Sequence, residues 1–205
     1  MTNNAVIVGY SGHSYVVIDS LLVNNYKLIG YCEIENKNYN PYNLAYLGSE
    51  QQIIRLKTIK DYSFFIAVGD NVVRAKIYNY LFPFVSLPFL KHPYSIVSTT
   101  VLVGSASVIM PGVVINGFSK IGNGVICNTS SVVEHECLIG DFSHIAPGAV
   151  LSGGVTVGKG SFIGANSVVR QGIKIGDNVV IGAGSVIVKN IPDNSLVFGN
   201  PGHIK

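Results

Sequence analysis

The chain of 205 residues is long enough for one or two domains with a buried core. Charged residues make up 12% of the chain and hydrophobic residues 48%, a balance that excludes a disordered protein. The net charge of +3 is spread evenly, so no basic block or stripe favours nucleic acid as a partner. The three cysteines form no C-x-x-C motif, which indicates neither a disulfide framework nor a metal site and favours a cytoplasmic protein.

An uncharged stretch between Lys91 and Lys120 is the one candidate for a membrane span. A spanning helix needs about 20 predominantly apolar residues. Pro93, Pro111 and several serines and threonines interrupt this stretch, and Met1–Asn4 lacks the basic region of a signal peptide. The sequence therefore predicts a soluble protein without a membrane span.

Composition divides the chain into two parts. All 11 tyrosines lie at or before Tyr94, whereas 18 of the 23 glycines follow residue 100. Two compositions this different predict two architectures, and we place the domains at residues 1–90 and 91–205.

Strand and helix patterns alternate in the first domain. Strands are predicted at Ala5–Gly9, Lys27–Tyr31 and Phe64–Val68, and helices at His13–Asn25, Glu50–Ile59 and Asn71–Leu81. This order predicts an α/β, Rossmann-like domain with a small parallel sheet. Ligands of such sheets bind at the carboxyl ends of the strands, which here are Gly9–His13, Glu33 and Gly69–Asn71.

A six-residue repeat runs through the second domain. Aliphatic residues, with one cysteine among them, recur at Val97, Val103, Ile109, Ile115, Ile121, Cys127, Val133, Ile139, Ile145, Leu151, Val157, Ile163, Val169, Ile175, Ile181 and Ile187. Glycine often follows the aliphatic residue directly, and a small residue often stands four places after it. Neither a helix nor a single strand produces this period, which is typical of a parallel β-helix.

The repeat predicts the shape of the second domain. Each six-residue unit forms one face of a triangular coil, so about eighteen residues complete a turn and about five coils lie between Val97 and Ile187. The aliphatic side chains stack inward, and glycine is expected to serve the bend at each corner. The spacing does not determine the handedness of the coils, although the usual rule for parallel crossovers favours a right-handed path.

Several segments resemble bacterial nucleotide-sugar acetyltransferases of the left-handed β-helix class, a family that includes sialic-acid O-acetyltransferase-like proteins and N-acetyltransferases of UDP-4-amino sugars. The resemblance rests on segments 6–13, 65–71, 92–93, 128–137 and 139–144 and on the ending 199–202. It implies left-handed coils, a homotrimer with active sites between neighbouring β-helices, acetyl-CoA as the donor, and a role in surface glycan biosynthesis.

His135 and Glu136 are the catalytic candidates that the resemblance implies. They follow the inward Val133 by two and three places, so they lie at a coil edge outside the aliphatic stack. Acetyl transfer needs a base that removes a proton from the attacking group, and a neighbouring carboxylate can orient a histidine for that task.

The same resemblance assigns the two substrates. His144, Ala165 and Ala183 are expected to contact acetyl-CoA, and Ser11, Gly12, His13, Glu33 and Gly69 to line the nucleotide-sugar site. The turn at Gly9–His13 lacks the spacing of the G-x-G-x-x-G fingerprint, which disfavours NAD. A glycine turn that opens a helix still offers N–H groups to a diphosphate.

Four functions remain open at this point. N-acetylation of a nucleotide-linked 4-amino-4,6-dideoxy sugar is favoured over O-acetylation of a sialic acid or another hydroxyl, because the first domain suits a nucleotide. A γ-type carbonic anhydrase needs three histidine ligands for zinc, whereas the repeat contains only His135 and His144, so no metal is expected. A purely structural β-helix would leave the first domain unexplained.

Overall fold

The computed structural model describes residues 3–55 and 59–205. The N-terminal elements are β1 (Asn4–Val8), α1 (Gly12–Val23), β2 (Lys27–Cys32), α2 (Glu50–Ile53), a 3-10 turn (Ile59–Asp61), β3 (Ser63–Ile66) and α3 (Asn71–Leu81). The strands form a parallel sheet in the order β2-β1-β3, which confirms the predicted α/β architecture. The predicted helix Glu50–Ile59 is wrong in length, because α2 ends at Ile53; residues 56–58 of that prediction lie outside the described residues.

The strand β1 lies between β2 and β3 and is apolar on both faces. Its residues Ala5, Val6, Ile7 and Val8 are all fully buried, as expected for a middle strand of a covered parallel sheet. From α1, Val17, Ile18 and Leu21 are buried with it, at the spacing of one helical face.

Residues from Leu90 onward form a parallel β-helix with three faces. Face 1 consists of Leu90–Lys91, Val108–Ile109, Ile126–Cys127, His144–Ile145, Phe162–Ile163, Val180–Ile181 and Leu196–Phe198, with His203–Ile204 added antiparallel at its end. Face 2 consists of Ile96–Val97, Val114–Ile115, Val132–Val133, Val150–Leu151, Val168–Val169 and Val186–Ile187. Face 3 consists of Leu102–Val103, Lys120–Ile121, Leu138–Ile139, Thr156–Val157 and Lys174–Ile175.

The interior of the β-helix follows the six-residue repeat. Fourteen of the sixteen predicted positions are buried, and the other two, Val97 and Val103 at the start of the first coil, are half-buried. The predicted β-helix is confirmed, and it is slightly longer than expected, with about 6 turns. Leu90–Lys91 and Leu196–Phe198 extend it beyond the two ends of the repeat.

Glycines at the corners, such as Gly124 and Gly160, have positive φ as expected for the bend, whereas the glycine directly after each inward residue has a different role. Gly104 and Gly140 are not among the residues with positive φ, so they do not serve a left-handed bend. Instead, a Cβ on Gly104 would lie 2.5 Å from the carbonyl carbon of Gly122, and a Cβ on Gly140 would lie 2.7 Å from the amide nitrogen of Lys159. Glycine is required there because the next coil passes too close for any side chain.

Small residues four places after the inward position also tie coils together. Ser107 Oγ donates a hydrogen bond to the Gly122 carbonyl at 2.7 Å, and Ser143 Oγ does the same to the Gly158 carbonyl at 2.7 Å. Both serines are fully buried. Their hydroxyls therefore satisfy backbone carbonyls that water cannot reach.

The N-terminal sheet and helices pack on the outside of face 1. Val108 and Ile126 point outward from that face and are nevertheless 3% and 1% exposed, because the N-terminal domain covers them. Asn24 Nδ2 at the end of α1 donates to the Lys91 carbonyl at 3.0 Å. One continuous core thus joins the two parts.

In the part of the chain that the structure describes, no helix is both long enough and apolar enough to cross a membrane.

Candidate active site

The carboxyl ends of β1, β2 and β3 meet at one edge of the sheet, as predicted. Gly9 has φ of +88°, and a Cβ there would lie 2.5 Å from Val68 Cγ2. Glu33 Oε2 accepts a hydrogen bond from the Tyr10 amide at 3.1 Å and lies 3.6 Å from Lys37 Nζ. Glu33 therefore fixes the β1–α1 turn, and its contact with a bound nucleotide stays a prediction.

The surface of this turn is open at the start of α1. Ser11 and Gly12 are exposed, and a Cβ on Gly12 would meet no atom within 4 Å. The amides at the start of a twelve-residue helix point toward this surface. Such a helix end attracts anions, which suits a diphosphate.

The buried His144 and the half-buried His13 face each other beside Gly69. The ring centroids of His13 and His144 are 6.3 Å apart. His144 Nε2 lies 3.0 Å from Asn128 Nδ2; because that amide nitrogen donates, Nε2 accepts and the ring proton lies on Nδ1. Among the described residues, His13 Nε2 and His144 Nδ1 are buried without a hydrogen-bond partner.

Both imidazoles are held neutral. Burial, followed by the nearby Arg74 guanidinium, lowers the pKa of His13 to about 4. Burial, followed by Arg74, lowers the pKa of His144 to about 3. At neutral pH the pair can therefore exchange hydrogen bonds with a ligand but does not attract it by charge.

His135 and Glu136 lie at the corner between faces 2 and 3. His135 Nδ1 and Glu136 Oε2 are 3.1 Å apart, and their side chains are 61% and 69% exposed. Because the carboxylate accepts the Nδ1 proton, the lone pair of the ring is on Nε2. That atom lies over Gly153, where a Cβ would be 2.5 Å from it.

A surface pocket of about 510 Å³ opens at this corner. It is lined by His135, Glu136, Gly153, Gly154, Gln171 and Gly172. Three of the six lining residues are glycines, so few side chains crowd the imidazole in this pocket.

The predicted site residues form separate groups in one chain. His144 is on face 1 against the N-terminal domain, whereas His135 lies at the corner opposite that face. Ala165 and Ala183 lie at a third place, the corner between faces 1 and 2, where Gly184 donates to the Ala165 carbonyl at 2.8 Å. A single chain therefore does not bring the catalytic pair to the other site residues.

Two family descriptions match the chain: the PglD N-terminal domain matches residues 4–81, and the hexapeptide repeat of succinyl-transferase matches residues 154–189. The acetyltransferase domain of PglB from Neisseria gonorrhoeae FA1090, solved with acetyl coenzyme A, is 32% identical over 100% of both chains, with a TM-score of 0.94. Perosamine N-acetyltransferase from Caulobacter crescentus was solved as a histidine-to-asparagine mutant with CoA and GDP-perosamine. It is 33% identical over 98% of this chain and 96% of that chain, with a TM-score of 0.94.

The chain belongs to the nucleotide-sugar N-acetyltransferases of the left-handed β-helix class. This confirms the family predicted from the sequence and the left-handed course of the coils, against the right-handed path that the crossover rule favours. WeeI from Acinetobacter baumannii AYE, at 23% identity over 98% of this chain and 99% of that chain, has the same fold with a TM-score of 0.89.

Sequence reasoning missed two polar residues of this acetyltransferase that join its domains. Asn71 Nδ2 donates a hydrogen bond to the Gly160 carbonyl at 2.9 Å. Arg74 is buried between α3 and the β-helix and is only 1% exposed. A helix that contains an arginine among apolar residues reads as an ordinary amphipathic helix. Only the docking of α3 on the β-helix shows which backbone groups these two side chains bond.

No three histidine, cysteine, aspartate or glutamate side chains come together as a metal site anywhere in residues 3–55 and 59–205. The three cysteines are all free and buried, and burial raises the pKa of Cys127 to about 12. A thiol that stays protonated is a poor nucleophile, so Cys127 does not suit nucleophilic catalysis.

Glu136 occupies a strained backbone position. Its φ is +59°, and the equivalent residues of the next two coils are Gly154 and Gly172, both with φ of +69°. A residue with a Cβ costs roughly 1–2 kcal/mol in this region, whereas glycine adopts it freely. Phe118, the equivalent residue of the preceding coil, has φ of +62°, so this conformation belongs to the corner and does not by itself mark Glu136 as functional.

We therefore expect Glu136→Gly to be more stable than Glu136→Ala by about 1 kcal/mol, because only glycine relieves the strain. Both variants remove the carboxylate and should lose acetyl transfer to a similar extent. Urea unfolding of the two variants measures the difference. At Lys120, an exposed strand residue outside the left-handed region, the order should reverse, with alanine the more stable. Equal stability of the two Glu136 variants would contradict the inference that the backbone at Glu136 is strained.

Proposed function

We propose that the chain transfers the acetyl group of acetyl-CoA to the amino group of a nucleotide-linked sugar of the 4-amino-4,6-dideoxy class. The observation that carries the proposal is the His135–Glu136 pair, an oriented base with an accessible Nε2 in a glycine-lined pocket. Two relatives above 30% identity support it, one bound to acetyl coenzyme A and one to CoA and GDP-perosamine.

The pair can carry both proton transfers of the reaction. The neutral amine attacks the thioester carbonyl carbon, and His135 Nε2 takes the proton that the new C–N bond makes acidic. The tetrahedral intermediate then breaks its C–S bond, and the imidazolium returns the proton to the sulfur. The products are an amide and CoA with a free thiol, and Glu136 holds the ring in place throughout.

The two domains divide the substrates between them. In this proposal residues 1–90 bind the nucleotide sugar, with Ser11, Gly12, His13 and Gly69 at the diphosphate and sugar. Residues 91–205 bind acetyl-CoA along Ala165 and Ala183, with His144 placed between the two substrates. The open helix start at Gly12 and the neutral His13–His144 pair support this division.

A homotrimer would complete the site. The outward residues of face 2 form an aliphatic column of Ile96, Val114, Val132, Val150, Val168 and Val186, of which Ile96 is 69% exposed. The corner with His135 borders one edge of this column, and the corner with Ala165 and Ala183 borders the other. Packing of face 2 around a threefold axis would therefore place His135 of one copy beside the donor residues of the next.

The free cysteines suit a reducing compartment, and we place the protein in the cytoplasm, where nucleotide sugars and acetyl-CoA are available.

The base is tested by His135→Ala. General-base catalysis contributes about 10²- to 10⁴-fold, so kcat should fall by that order while both KM values stay within a few-fold. The assay uses acetyl-CoA with UDP-, dTDP- and GDP-linked amino sugars and their hydroxyl analogues. His203→Ala, an exposed histidine at the end of the chain, is the matched control and should keep wild-type activity. A folded His135→Ala variant with more than half of wild-type kcat would overturn the assignment.

Gly12→Val tests the nucleotide site. Because a Cβ at Gly12 meets no protein atom within 4 Å, the fold leaves room for a side chain that would extend into the space of a bound ligand. We expect a nucleotide-sugar KM at least tenfold higher and an unchanged acetyl-CoA KM, measured by steady-state kinetics. Gly12→Ala should give a smaller effect in the same direction. An equal rise in both KM values would count against the division of substrates.

A further inference from the structure

Arg74 is the largest side chain in the fully buried part of the protein. It is 1% exposed, and neither ion pair found among the described residues includes it. A buried charge of this kind is strongly destabilising unless all of its donors are satisfied. The structure therefore has to supply five acceptors for the five N–H groups of the guanidinium.

Backbone carbonyls supply nearly all of these acceptors. Nη1 donates to the Val68 carbonyl at 3.1 Å and to the Gly69 carbonyl at 2.9 Å. Nε donates to the Gly124 carbonyl at 2.7 Å, and Nη2 donates to the Phe142 carbonyl at 2.8 Å. The guanidinium thus bonds the turn after β3 and the β-helix at the same time.

Asn71 extends this arrangement by one coil. Arg74 Nη2 donates to Asn71 Oδ1 at 2.7 Å, and Asn71 Nδ2 donates to the Gly160 carbonyl at 2.9 Å. Gly124, Phe142 and Gly160 are 18 residues apart, so they are the same corner position in three successive coils. Two neighbouring side chains of α3 therefore bond three consecutive coils at equivalent points.

This contact sets where the N-terminal domain sits along the β-helix axis. The Gly69 carbonyl, which Arg74 holds, lies beside His144, and Phe142 is two residues before His144. His13 approaches the same place from the β1–α1 turn, and its Cβ lies 4.0 Å from the Cβ that Gly69 lacks. The Arg74 bonds thus join the two segments that bring His13 and His144 together.

We propose that Arg74 is a positioning residue for acetyl transfer. Its bonds to Gly69, Gly124 and Phe142 hold the turn after β3, part of the proposed nucleotide-sugar site, in register with His144. The inference rests on the proposed function, since it assumes that the turn binds the acceptor. The cationic guanidinium also favours the neutral forms of His13 and His144, in agreement with the direction of both pKa shifts.

Arg74→Lys separates positioning from charge, because lysine keeps the charge but has three N–H donors on a single atom and cannot bond all five acceptors. A misplacement of about 1 Å can cost on the order of 10²-fold in rate, so kcat/KM for the nucleotide sugar should fall by about that factor. The acetyl-CoA KM should change much less, because His144 alone of the three predicted donor contacts lies near the Arg74 bonds, whereas Ala165 and Ala183 lie at another corner. Asn71→Ala should give a smaller loss of the same kind.

The control is Leu81→Ala. Leu81 is a fully buried residue at the end of α3, and its truncation weakens the same domain without touching the Arg74 bonds. All variants are assayed at a temperature at which circular dichroism shows them fully folded. Unchanged kinetics in Leu81→Ala with a nucleotide-specific loss in Arg74→Lys would support positioning. The same loss in both, or no loss in Arg74→Lys, would overturn it.

A second readout does not depend on the reaction. Hydrogen exchange of the wild-type protein and Arg74→Lys should show faster exchange at residues 67–74 and at the coil corners 124 and 142, with β1 still protected. If the wild-type protein acetylates no nucleotide amino sugar, the proposed function fails, and the exchange data alone decide whether Arg74 holds the turn. Unchanged exchange at residues 67–74 would overturn the inference by itself.

Discussion

The structure depends on the stacking of one aliphatic side chain every six residues inside the β-helix. Because each inward residue packs on its equivalent 18 residues away, neighbouring coils lie a strand spacing apart, and their backbones come close at Gly104 and Gly140. The same constraint fixes which residues can reach solvent. Only the residue before each inward position and the residues at the corners can reach solvent. Nearly every β-helix residue that is predicted to bind or catalyse stands at one of these positions.

Chemistry at the corners differs from chemistry on the faces. At the corner between faces 2 and 3 the His135–Glu136 pair is exposed, oriented by its own hydrogen bond, and free to exchange protons with a ligand. On face 1, His144 is covered by the N-terminal domain and kept neutral by burial and by Arg74. A base therefore belongs at the corner, whereas the face offers fixed hydrogen-bonding groups of no net charge.

Much of this architecture could be predicted from the sequence. The repeat predicted the inward positions, and the bounds of α3, Asn71–Leu81, agree with the pattern residue for residue. The position of His135 two places after Val133 also predicted its exposure. These predictions succeed because local periodicity decides which side of a strand or helix is buried.

Other features depended on contacts that no local pattern contains. The role of glycine after the inward residue was wrong, because the limiting contact is with the next coil rather than within the turn. The hydrogen bond from the Tyr10 amide to the Glu33 carboxylate was not predicted, and the contact of Glu33 with a nucleotide stays a prediction. Arg74 was missed because its five acceptors come from the turn after β3, from its neighbour Asn71 and from two coils of the β-helix, which meet only after the domains dock.

The central claim, that His135 of one copy serves the nucleotide-sugar site of another, is tested most directly by mixing two inactive variants. His135→Ala and Gly12→Val are coexpressed with different tags, and assemblies that carry both tags are assayed at a nucleotide-sugar concentration too low for Gly12→Val to work. In a trimer that carries both tags, one of the three composite sites combines an intact His135 with an intact Gly12, so activity should return to about a third of the wild-type level. If each site belonged to a single chain, the mixed assemblies would be no more active than the two variants alone, and the account would be contradicted.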